Sequence, residues 1–298
     1  RGSGVYGLAA MRRESERGGL RLVRPLLGVP RARLLASLAG VPLPPGLPVD
    51  DPHNADPRFA RARMRALMPR LAEEGLDPPR LAGTAERLGR AADALEHYAD
   101  RLIAEAVKVD FAGAVRLSAG PFLAAPEEIR LRVLARILRA AGGGSEVPRL
   151  ERLERLEEAM RAPGDARFVR TLAGTVVDRK GGLFRFQREI GREGPPALLV
   201  SDGYQGLWDG RFAVRLTIGD KGPVELGPLG EADRRALAVC VSDGLKKAIE
   251  ALPAFRREGR LLAIPGLHYA PAAEGVFEAV AMPVVEERLS ERARIDRR

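Results

Sequence analysis

Cysteine is almost missing from this chain of 298 residues, Cys240 being the only one. That excludes an internal disulfide and points to a reducing compartment. Cys240 lies in an apolar helical run, 236–241, and reads as a buried structural thiol rather than a nucleophile. Histidine is nearly as scarce. His53, His97 and His268 are scattered, and isolated imidazoles do not assemble a metal site, so metal ligation by the protein itself is not expected. No apolar run approaches the roughly 20 residues of a membrane span, and no signal peptide is evident. A cytoplasmic protein without a membrane partner is expected. The first 70 residues lack lysine altogether, yet they hold 13 arginines against 5 acids, so this quarter carries +8 of the chain's +9. A raised pI, here near 10.3, is common in proteins of arginine-rich, high-GC genomes. Charge confined to one segment is better evidence of a polyanionic partner.

The basic segment culminates in residues 50–69, DDPHNADPRFARARMRALMP. Asp56 followed by Pro57 is a helix start, with a capping carboxylate and then a residue whose missing N–H costs nothing. Pro69 is expected to end the helix, giving about three turns over 57–68. At 100° per residue Ala60, Met64, Leu67 and Met68 share one face. Arg58, Arg61 and Arg65 share the adjacent one, and Arg63 lies on the opposite flank. Two uses fit this pattern. One is a solvated basic face; the other is a helix that grips phosphate or carboxylate with guanidinium forks. The preceding turn, Asp51-Pro52-His53-Asn54, has side chains that bond nearby backbone and would fix the direction of the chain.

Asp51, Asn54 and Asp56, then Arg61 and Arg65, closed by Pro69, resemble the D-x-S-N-x-D…R-N-x-x-R…P signature of bacterial tRNA(Ile)-lysidine synthetases. Arg1-Gly2-Ser3-Gly4, Gly7-Leu8 and Met11, followed by Arg24-Pro25-Leu26-Leu27, are similar to the run that precedes that signature in the family. Two positions depart from the pattern: His53 stands where Ser is usual, and Ala62 where Asn is usual. Gly2, Gly4 and Gly7 also spell a G-x-G-x-x-G. The dinucleotide fingerprint, however, needs a strand before it and an acid about 20 residues later, and the residues around 27 are apolar. These glycines instead suit a loop that approaches a ligand or another backbone closely.

The remaining chain sorts into textures. Residues 20–27 read as a short strand, 31–39 as an amphipathic helix with Leu34, Leu35 and Leu38 inward, and the prolines of 42–48 as a stiff connector. Long helices are expected over 78–107, 126–141 and 148–161. The second is stopped by Gly142-Gly143-Gly144, and the charges of the third form a solvated face. The triple glycine lacks the following Lys-Ser/Thr of a phosphate loop. His97, in the first of these helices, reads as partly exposed. After 161 the texture turns β, with strands over 168–177, 183–188 and 206–218, a hairpin at Asp209-Gly210, a helix over 231–251, and strands over 261–264 and 276–282. Phe168, Phe184, Phe186, Tyr204, Trp208 and Phe212 could stack bases beside Arg185 and Arg188, although aromatics at strand spacing are usually core. Arg170-Thr171-Leu172 with Gly174, the run Leu207-Trp208-Asp209-Gly210-Arg211-Phe212, and Ile264-Pro265-Gly266 resemble C-terminal portions of the same synthetases. The expected class is α+β. Residues 1–70 form the tail of an α/β nucleotide-binding domain, 71–145 a helical tRNA-binding domain, and 146–298 a small α+β C-terminal domain.

The resemblance implies ATP-dependent, Mg²⁺-assisted adenylation of C2 of the wobble cytidine in an isoleucine tRNA with a CAU anticodon. Free L-lysine then attacks that carbon and expels AMP. It implies Arg61 and Arg65 as catalytic contacts and Arg58, Arg63, Asn54 and Asp51 as substrate or tRNA contacts. Arg1, Gly2 and Gly4 would border the nucleotide site, and a homodimer is an expectation of the same kind. The family's S-G-G-x-D-S ATP loop occurs nowhere in this sequence. A chain opening at Arg1 is therefore expected to be a piece of a longer enzyme, inactive alone. The alternative is a stand-alone, non-catalytic RNA-binding module.

Overall fold

The computed structural model describes residues 4–17, 20–42, 44, 53, 56–162, 168–191, 194–219, 222–237, 245–270 and 277–291. Arg1, Gly2, Asp51, Asn54 and Cys240 lie outside these residues. The chain divides into two compact units, Ser3–Asp93 and Ala94–Arg298.

In the first unit, α1 (Val5–Leu8) precedes an antiparallel hairpin of β1 (Glu14–Arg17) and β2 (Leu20–Val23). Arg24 pins this hairpin, its guanidinium donating to the Arg12 carbonyl (3.3 Å) and to Ser15 Oγ (3.0 Å). Then come α2 (Arg31–Leu38), α3 (Ala60–Glu73) and the start of α4 (Pro78–Ala106). Leu34 is half-buried, but Leu35 and Leu38 are exposed, contrary to the inward stripe expected of α2.

Helix α3 differs from expectation at both ends. Asp56 does not cap it. Instead the carboxylate accepts the Arg58 N–H (2.9 Å) and the Asp56 carbonyl accepts the Phe59 N–H (3.1 Å), making a turn that delays the helix to Ala60. Pro69 lies inside the helix. It removes a single N–H, and the chain continues one more turn to a true stop at Gly75, whose φ of 81° suits glycine. The Leu76 N–H then returns to the Leu71 carbonyl at 2.7 Å. The only buried residue of α3 is Ala62, while Met64 and Leu67 of the expected seam are exposed.

The second unit holds the rest of α4, then β3 (Val107–Val109), β4 (Val115–Ser118), α5 (Ala119–Ala124), α6 (Glu127–Gly142) and α7 (Leu150–Arg161). After these come β5 (Val169–Leu172), β6 (Thr175–Lys180) and β7 (Leu183–Arg188), which join the earlier two strands in an antiparallel sheet of order β3-β4-β7-β6-β5. Strands from 107–118 and from beyond 168 thus share one sheet. Its inner face, with Leu117, Val177, Phe184 and Phe186, packs on Val133, Leu134, Ile137 and Leu138 of α6 and on Leu153 of α7. Residues 168–177 form a hairpin instead of one strand, because Ala173 and Gly174 take positive φ (52° and 69°).

The remaining elements are β8 (Leu198–Val200), β9 (Gln205–Trp208), β10 (Phe212–Thr217), β11 (Val224–Pro228), α8 (Gly230–Ala236), α9 (Lys246–Glu250), β12 (Pro253–Arg257), β13 (Arg260–Ala263), β14 (Glu278–Pro283) and α10 (Val285–Ser290). They form two antiparallel sheets, β14-β10-β9 and β13-β12-β11-β8, with a common core of Trp208, Phe212, Leu216, Leu226, Phe255 and Ile264. The helix expected over 231–251 is two short ones, with 238–244 outside the described residues. Phe184, Phe186, Trp208 and Phe212 are each at most 1% exposed. They are core, so the base-stacking platform does not exist.

Candidate functional site

Around α3 the structure separates arginines that hold the helix from arginines that face outward. Arg58 forks onto the Asp56 carboxylate, with Nε at 2.8 Å and Nη2 at 2.6 Å. That bond, together with the Arg58 N–H, holds the Asp56 carboxyl below its ordinary range and raises the guanidinium. Arg63 Nη1 donates to the carbonyls of Pro57 (2.8 Å) and Arg58 (2.9 Å), tying the lead-in turn to the first helical turn. His53 stands edge-on to Phe59, with ring centroids 5.6 Å apart. Arg58 and Arg63, expected as substrate contacts, make these bonds at the helix start and are exposed. Arg61 is exposed and has no hydrogen bond or ion pair with a described residue, and Arg65 is exposed on the same side. Gly4, exposed, precedes α1 and accepts the Leu8 N–H at its carbonyl (3.1 Å).

Among the described residues of this segment no strand, glycine loop and helix combine into a triphosphate cradle. No group of three His, Cys, Asp or Glu side chains converges on a metal position among the described residues.

The segments with C-terminal motifs serve the architecture. Asp209, at φ 50°, accepts from Arg188 (3.0 Å) and Arg211 (2.7 Å). Burial pushes the Arg211 guanidinium down, and Asp209 opposes that shift. A Cβ on Gly143 would lie 2.0 Å from the Asp209 carbonyl oxygen, and one on Gly210 would lie 2.1 Å from that of Gly143. The helix stop and the hairpin turn meet backbone to backbone, which requires glycine at both. A cavity of about 500 Å³ opens beside this joint, lined by Arg139, Ser145, Leu207, Glu287 and Arg288 among others. Its two arginines are spent on the frame. Arg288 donates to the carbonyls of Gly144 and Gly210, and Arg139 to those of Glu291 (2.7 Å) and Arg288 (3.3 Å). Burial lowers both guanidiniums. Sequence reasoning did not find this cavity; its only trace was the triple glycine and Asp209-Gly210.

Residues 1–71 match the description of the PP-loop domain. A tRNA(Ile)-lysidine synthase of Ruegeria pomeroyi is 33% identical over 285 residues, covering 95% of this chain and 60% of that protein. This chain is a homologue of the tRNA(Ile)-lysidine synthases. Those of Rhodopseudomonas palustris (44% over 191 residues; 61% of this chain, 54% of that protein) and Methylobacterium nodulans (44% over 196 residues; 63% and 56%) agree. The chain spans a little over half the length of these tRNA(Ile)-lysidine synthases.

Proposed function

We propose that the chain is the cleft-edge and tRNA-holding portion of a cytoplasmic tRNA(Ile)-lysidine synthase. The complete enzyme would ligate L-lysine to C2 of the wobble cytidine of an isoleucine tRNA through an ATP-derived adenylate. The observation that carries this is on α3: Arg58 and Arg63 bond the helix start, while Arg61 is exposed with no hydrogen bond or ion pair to a described residue, and Arg65 lies exposed one turn further on. A guanidinium on a fixed helix suits bidentate contact with a phosphate or with the carboxylate of the incoming lysine. Asp56 organises that start, and Asp51 and Asn54, together with Arg58 and Arg63, are assigned to contact with substrate or tRNA. Arg1, Gly2 and Gly4 are assigned to the border of the nucleotide site, and residues 71–145 to tRNA contact. ATP with Mg²⁺ would supply the leaving group; no residue described here is assigned to hold either.

The test uses the full-length enzyme. Arg61→Ala and Arg65→Ala should each abolish most lysidine formation and leave the unfolding midpoint unchanged. Wild-type activity in both variants would remove the assignment.

A further inference from the structure

The register of the five-stranded sheet sets like charges opposite one another. Lys108 of β3 pairs with Arg116 of β4, and Arg116 pairs in turn with Arg185 of β7. Directly opposed residues share a face of the sheet, so the three cations form one row on the side away from α6. Lys180 lies on the same face, one diagonal from Arg185, through its pairing with Leu183. Against these stands one acid in the row, Asp178, which is bonded to Arg185 and Gln187. Lys108, Arg116 and Lys180 are exposed, and none forms a hydrogen bond or ion pair with a described residue. Arg116 also acts through space on the half-buried Asp110.

Like charges directly opposite destabilise a sheet. A lysine on an edge strand can guard against pairing with another sheet, which accounts for Lys108 on β3. It does not account for Arg116, because β4 is an interior strand; Arg185 is matched by its cross-strand partner Asp178. The row spans three strands, about 10 Å at the usual inter-strand spacing. The long stems of Lys108 and Arg116 let those two charges reach outward independently, while Arg185 is held by Asp178.

Resting on the function proposed above, we propose that this outer face is a docking ridge for the phosphodiester backbone of the RNA substrate, with Lys108 and Arg116 as its principal contacts and Lys180 flanking. A polyanion removes the repulsion that the register builds in, and the contacts carry no base specificity.

The experiment measures binding of an isoleucine tRNA transcript to the full-length protein across a salt series. It compares wild type, Lys108→Ala/Arg116→Ala, and a charge-matched control, Arg235→Ala/Arg260→Ala, at exposed positions elsewhere. The ridge variant should bind roughly tenfold more weakly, with a log–log salt slope shallower by about 1 to 2. Its unfolding midpoint should be unchanged or raised, and the control should leave the slope nearly as in wild type. Equal slopes for ridge variant and wild type, equal effects of ridge and control variants, or a lowered unfolding midpoint would each overturn the ridge while leaving the enzyme assignment standing. A wild-type protein with no salt-dependent RNA binding would remove both.

Discussion

Arginine does opposite work in the two units. On α3 of the first unit the basic residues are exposed, and the only buried residue of that helix is an alanine. On α6 of the second unit Arg130, Arg132, Arg136 and Arg139 are all at most 9% exposed. There they meet carboxylates. Arg130 pairs with Glu157 at 2.6 Å, while Arg132 and Arg136 converge on Glu96, which is wholly buried. Buried guanidiniums are tolerable because each is paired and hydrogen-bonded, and exposed ones are cheap because water solvates them. The difference teaches that local charge balance, rather than charge count, separates exposed arginines from framework ones. The arginines that the second unit buries, on α6 and at Arg211, are each matched by a carboxylate.

The largest effect should come from breaking a pair in the second unit. Glu96→Ala leaves Arg132 and Arg136 buried without their shared carboxylate, and should cost about 3–5 kcal/mol in denaturant unfolding. An effect below about 1 kcal/mol would mean that water reaches the network. On the exposed side of the comparison, Arg61→Ala should leave unfolding unchanged and lower lysidine formation by about 10²-fold in the full-length enzyme. A loss of stability instead would place Arg61 with the framework arginines. Arg63→Ala sits between the two classes. Losing its bonds to the Pro57 and Arg58 carbonyls should cost roughly 1 kcal/mol or less globally, yet speed amide exchange at the start of α3.

The smallest effect concerns Asp110, whose carboxyl is pushed up from 3.8 by burial, against the pull of the Ala114 and Ala112 N–H groups and of Arg116. The folded state therefore holds the proton to higher pH than the unfolded chain, so stability should fall as pH rises from about 3.8 through the raised value and then level off. Asp110→Asn keeps a carbonyl for both N–H donors and should flatten that decline. An unaltered pH profile would assign the slope to another group.

Much of this was legible in the sequence because local rules governed it. The Gly143 stop of α6, the bounds of β7 and the Asp209-Gly210 hairpin follow from periodicity and turn chemistry. The start of α3 was not legible, since Asp56 could serve equally as a cap or as the head of a turn, and only the Arg58 side chain decides between them. Glu157 looked like part of a solvated face because its partner, Arg130, is 27 residues away in sequence. The cations of the ridge are spread over 108–185, and strand register alone aligns them. No count over contiguous residues could reveal that.

The carboxylate–guanidinium cluster around Glu96 also has a thermal consequence. Removing charged groups from water becomes less unfavourable as temperature rises, because their hydration loses ground entropically. An apolar replacement of the cluster should therefore compare best with the native unit in the cold and less well on heating, so the ion pairs of α4 and α6 favour a fold that holds its shape at the warm end of its range.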